Sequence, residues 1–100
     1  MTREDIDMTI EMLATKYPKC FFADHRMRLP LKKNIERDLE KDGTKIDAYL
    51  LGRVMEWYKQ SFGYNYAIHN GKKRVDLNGV EVEAVTDQER GNAIKAINER

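Results

Sequence analysis

The stretch Arg74-Val75-Asp76-Leu77-Asn78-Gly79-Val80-Glu81-Val82-Glu83 constrains the fold more than any other part of this sequence. Asn-Gly tolerates the left-handed backbone of a type I′ turn, because glycine lacks a Cβ and asparagine bonds locally. Apolar and polar residues alternate on both sides of that pair, the period of a strand with one buried face. A hairpin with a two-residue turn is expected. Leu77 should face Val80 and Val75 should face Val82, while Arg74 pairs with Glu83 and Asp76 with Glu81 on the other side.

The rest of the chain reads as helix. Thr2 can cap a first helix with Glu4 and Asp5 in its opening turn, where acidic groups suit the dipole. Ile6, Ile10, Leu13 and Ala14 form its apolar stripe, and Tyr17-Pro18 ends it. A buried connector, Cys20-Phe21-Phe22, leads to a polar loop, and Pro30 suits the first position of a second helix carrying Leu31, Ile35 and Leu39. Asp47 can cap a third helix, on which Leu50, Leu51, Val54, Met55, Trp57, Tyr58 and Phe62 make the wide apolar arc of a central element. Thr86 and Glu89 read as a capping box that opens a last helix with Ile94 and Ile97 inward. The expected fold class is mostly α (α+β): helices packed around a small β-hairpin, in a single domain over residues 1–100.

Charge is sorted along this chain. The formal net charge is only +1, so there is no strong global attraction for a polyanion. Residues 1–15 nevertheless carry one basic and four acidic side chains, residues 16–53 ten and six, and residues 54–100 seven and seven. Local fields matter more than totals within a screening length of roughly 8 Å. With 35% charged residues and a mean hydropathy of −0.74, no apolar run approaches the length of a membrane span. A single cysteine, Cys20, forms no internal disulfide and fits a reducing, cytoplasmic setting, and no basic start followed by an apolar secretory segment opens the chain.

Two basic clusters carry the interest. Residues 57–75 contain no acidic side chain but hold Lys59, Lys72, Lys73 and Arg74 beside Phe62, Tyr64, Tyr66 and His69. Cations neutralise phosphates and aromatic rings stack on bases. Tyr64 and Tyr66 are two residues apart in what reads as an extended stretch, which would turn both rings to one side. Phe62 reads as core. The second cluster is Arg26, Arg28, Lys32 and Lys33. If a helix begins at Pro30, Lys32 and Lys33 stand in its first turn, where the dipole disfavours cations unless an anion visits, and free N–H groups make that place a phosphate clamp.

Catalytic arrangements are thin. His25, His69 and Cys20 have no metal-ligand spacing, no glycine-rich phosphate loop is present, and Cys20 sits among aromatic residues as a packed side chain. No enzyme activity, cofactor or metal is expected.

Four blocks occur in the order and approximate spacing of the ProQ/FinO domain, which the chain resembles over residues 5–98: Tyr17-Pro18-Lys19-Cys20-Phe21-Phe22, Leu29-Pro30-Leu31-Lys32, Phe62-Gly63-Tyr64-Asn65-Tyr66 and Arg74-Val75-Asp76-Leu77-Asn78-Gly79. The resemblance implies an RNA chaperone domain that binds small regulatory RNAs and messenger 3′ ends, preferring a stem followed by a short single-stranded 3′ tail. It places the pocket tyrosine on Tyr64, the pocket arginine on Arg74 and a helix-start lysine on Lys32. Two positions depart from the pattern: Leu29 stands where an arginine is common, leaving Arg28 to substitute, and Gly52 stands at a basic position, with Arg53 beside it. The expected RNA-binding set is therefore Arg28, Lys32, Lys33, Arg53, Tyr64, Tyr66, Lys72, Lys73 and Arg74, with Glu83 as the rival partner of Arg74. A monomer is expected. The alternatives are a protein-interaction module using a Tyr64/Tyr66 surface and a helical DNA-binding module.

Overall fold

The computed structural model describes residues 2–99; Met1 and Arg100, the ends of the expected domain, lie outside the described residues. Among the described residues, five α-helices accompany a two-stranded antiparallel sheet: α1 Arg3–Lys16, α2 Ile35–Lys41, α3 Ala48–Lys59, α4 Phe62–His69, β1 Arg74–Val75, β2 Glu81–Glu83 and α5 Asp87–Asn98. A 3₁₀ turn, His25–Met27, lies between α1 and α2. The mostly helical class with one hairpin is borne out.

Local signals set most helix starts. Thr2 and Asp5 form a full capping box on α1, Asp47 accepts from the Leu50 N–H to cap α3, and Thr86 and Glu89 form a second capping box on α5. Ile6, Ile10 and Leu13 of α1 are buried against the side of α3 that holds Val54, Met55 and Tyr58. On α5 the buried residue is Ala93; Ile94 and Ile97 are half-buried.

Three expectations fail. The second helix starts at Ile35, not Pro30, after Asn34 in a left-handed conformation (φ 61°). Pro30, Leu31 and Lys32 are instead extended, with Leu31 in a parallel bridge to Val75. The Val75 N–H donates to the Pro30 carbonyl and the Lys32 N–H to the Val75 carbonyl, both at 2.9 Å. These bonds outweigh the preference of proline for a helix start, and they leave Lys33 outside the helix that carries Arg37 and Lys41.

The long third helix is two. It stops at Lys59, and Ser61 caps α4, which contains both Tyr64 and Tyr66. Two residues along a helix are about 200° apart. Tyr64 therefore points inward while Tyr66 is 51% exposed and stacks on Phe62, which is also exposed rather than core. Gly63 makes this packing feasible: a Cβ there would lie 1.7 Å from the His25 carbonyl oxygen.

The hairpin turn is wider than expected. Asp76 pairs with Val80 around a three-residue loop of Leu77, Asn78 and Gly79, and of these only Gly79 has a positive φ, 78°. This is a turn closed by a glycine bulge, not type I′. The Asp76 Oδ1 accepts from the Asn78 and Val80 N–H groups, and Gly79 abuts Lys19 so closely that a Cβ would come within 2.6 Å of its Cβ. Arg74 does face Glu83, but an irregularity follows and Val75 faces Glu81. Val80 and Val82 are consequently exposed while Val75 is buried.

Candidate nucleic-acid interface

Leu31 is the hub of the site. Its N–H donates to the Tyr64 hydroxyl at 3.1 Å, and its carbonyl accepts from Arg74 Nη1 at 2.8 Å. The next residue, Lys32, is joined by its own N–H to Val75. The extended segment, α4 and β1 thus bring Tyr64 and Arg74 onto the Leu31 peptide; of the two neighbouring lysines, Lys33 turns toward the Glu89 carboxylate that Arg74 also meets, and the Lys32 ammonium turns to Asp38. Tyr64 is 5% exposed and Arg74 9%, so each offers an edge rather than a free side chain. Burial pushes the Tyr64 hydroxyl pKa up. That oxygen accepts from Leu31, and its own proton meets no acceptor among the described residues.

Two carboxylates brace these cations. Lys32 Nζ is 2.7 Å from Asp38, a hydrogen bond that raises the lysine pKa. Arg74 Nη2 is 2.8 Å from Glu89, and Lys33 Nζ approaches the same oxygen at 3.8 Å. The other Glu89 oxygen accepts from the Thr86 N–H at 2.8 Å. That backbone bond, followed by Arg74 and Lys33, holds the Glu89 pKa below its ordinary value. Glu89, not Glu83, is the partner of Arg74. The capping box marked Glu89 as a helix start but carried no sign of its second contact, and Asp38 had no signal at all.

The remaining expected residues divide. Arg28 is 7% exposed, and its guanidinium donates to the carbonyls of Phe22, Ala23 and Tyr58, so it braces the core and has little left for phosphate. Arg53 lies on the exposed side of α3 beside Glu56, at 3.2 Å. Lys72 and Lys73 are exposed in the turn before β1 and make no ion pair among the described residues. Tyr66 stands on the opposite side of α4 from Tyr64, so the common surface required by the protein-interaction alternative does not exist. Cys20 is fully buried, as expected of a packed residue.

Helices around a hairpin, with a tyrosine and an arginine gripping one extended peptide, define the class of fold. The chain belongs to the ProQ/FINO family, whose profile matches residues 3–100. A ProQ homolog from Legionella pneumophila, solved by NMR, superposes with a TM-score of 0.79 at 27% identity, covering 100% of this chain and 86% of that one. A FinO-like RNA chaperone from Neisseria meningitidis gives 0.72 at 29% identity, covering 92% and 93%. Among curated proteins, the RNA chaperone ProQ of Alteromonas mediterranea is 34% identical over 93 residues, 90% of this chain and 41% of that protein. The same-named protein of Idiomarina loihiensis is 34% identical, over 90% of this chain and 44% of its own length. The chain thus spans less than half the length of these relatives.

Proposed function

We propose that this chain is an RNA-binding, chaperone-type domain that takes a stem-loop by its single-stranded 3′ tail and acts by binding rather than by chemistry. The supporting observation is that Tyr64 and Arg74, from two parts of the chain, both grip the Leu31 peptide, with Lys33 beside the carboxylate that Arg74 meets. In this reading Arg74 pairs with a phosphate of the tail and the uncommitted Tyr64 proton is donated to a tail oxygen. Lys32 and Lys33 meet the backbone nearby, and Lys72 and Lys73 extend the positive edge. Arg53 is a peripheral phosphate contact and Tyr66 a stacking ring outside the tail pocket; Arg28 is left to the core. An A-form stem hides its bases in a deep major groove, so recognition rests on shape and on the free end. The ligands are small regulatory RNAs and messenger 3′ ends, met by a monomer in the cytoplasm. The names of the relatives, RNA chaperone and FinO-like RNA chaperone, support the RNA part of this reading.

The test is the affinity for a terminator-like hairpin, with and without its 3′ tail, measured across salt. With about four to six phosphate contacts, log K should fall against log salt with a slope of about −3 to −5. Removing the tail should weaken binding, and Tyr64→Phe, which keeps the ring but loses the hydroxyl, should cost about 1 kcal/mol of binding. A slope near zero, equal affinity for the tailless hairpin, or equal competition by duplex DNA would overturn the reading.

A further inference from the structure

Glu89 sits where an incoming anion would have to go. One of its carboxylate oxygens lies 2.8 Å from Arg74 Nη2 and 3.8 Å from Lys33 Nζ. We propose that this carboxylate is a built-in competitor for the RNA phosphate: it occupies Arg74 and Lys33 in the free chain and is displaced when RNA binds, so that its charge sets how tightly the site takes phosphate. The proposal rests on the RNA reading of the same site.

Three observations carry it. Arg74 does not depend on Glu89 for its position, because Nη1 is held independently by the Leu31 carbonyl at 2.8 Å. Nor does Glu89 saturate the guanidinium: it meets Nη2 through one oxygen only, on the one edge of a side chain that is 11% exposed. A phosphate brings more acceptor oxygens than the single carboxylate oxygen now present. Finally, the second Glu89 oxygen caps the Thr86 N–H, and the side chain is 27% exposed. The carboxylate can swing off Arg74 into solvent without α5 losing its fold, since the Thr86 hydroxyl still accepts from the Glu89 N–H.

Glu89→Gln isolates the charge. Glutamine serves the capping box as well as glutamate does, so the helix start is kept, and an unchanged thermal midpoint would verify this. Binding of a 3′-tailed hairpin is then measured by fluorescence anisotropy. The variant should bind about fivefold more tightly near 0.1 M salt, the scale of one partly exposed ion pair removed as competitor. Its log K against log salt should steepen by about one unit. In an Arg74→Ala background the gain should shrink to less than about twofold, leaving only the long contact to Lys33. In the wild-type chain, the Glu89 side-chain carboxyl carbon resonance should move when RNA is added. Unchanged or weaker binding by Glu89→Gln, or a resonance that stays in place, would show Glu89 to be a permanent brace and end the proposal. If wild type itself ignores the tailed hairpin, the RNA reading has failed and takes this inference with it; the two failures fall in separate arms.

Discussion

The Arg28 guanidinium lies over the Tyr58 ring, 4.1 Å from its centroid, while the Tyr58 hydroxyl accepts from the Phe22 N–H at 2.9 Å. Cation and phenol together close the segment after α1 onto α3. Arg28 also donates to three carbonyls, and burial lowers its pKa from the ordinary value. Arg28→Ala should therefore destabilise the chain by about 2–4 kcal/mol, since three acceptors lose a charged donor. The midpoint of urea unfolding checks this. The rival view, Arg28 as a phosphate contact, requires the variant to keep its stability and lose only RNA affinity.

Two glycines should respond oppositely to the same change. At Gly63 a Cβ would sit 1.7 Å from the His25 carbonyl oxygen, a backbone atom that cannot move aside cheaply. Gly63→Ala should cost more than about 3 kcal/mol or prevent folding. At Gly52, inside α3, a Cβ meets nothing within 4 Å. Gly52→Ala should add about 0.5–1 kcal/mol, the helix propensity difference. Thermal unfolding of both variants beside wild type decides it.

Cys20 supplies a pH dependence. Burial, then the charges of Asp76 and Asp38, push its thiol from the ordinary 9.0 up to about 12. The fold favours the neutral thiol, so the associated stability is complete below pH 9 and is lost as pH climbs toward about 12, because only the unfolded chain ionises freely there. Alkylation at pH 8 should be very slow in the native chain and prompt in urea. Cys20→Ala should flatten the decline in stability between pH 9 and 12. Prompt native labelling would contradict the buried placement.

What could be read from the sequence divides by range. The caps at Thr2, Asp47 and Thr86 were legible because donor and acceptor lie within three residues of one another. The buried stripe of α1 followed from spacing alone. The extended path of Leu31 was not legible: its hydrogen-bond partners stand 33 and 43 residues away, and nothing nearby outvotes Pro30 as a helix start. The same distance hid Glu89 behind its more obvious capping role. Tyr64 and Arg74 both bond to the Leu31 peptide yet are nearly buried, which the sequence does not reveal, since a basic, aromatic stretch looks alike whether its rings point out or in. Ser61 was the missed clue to α4, a capping residue set between two apolar runs.

The parallel bridge from Leu31 to Val75 has a consequence for synthesis. Ribosomes release chain at about 5–20 residues per second, and early segments settle first. A nascent chain ending before Val75 has α1 to α4 and the Tyr64 bond to Leu31 but lacks the strand that holds Pro30 and Lys32, and one ending before Glu89 leaves Arg74 without its carboxylate. The Arg74 side of the candidate site is therefore among the last parts of the molecule to exist, and an abortive product that stops at residue 70 would keep α1 to α4 and Tyr64 yet lack the arginine that grips the Leu31 peptide.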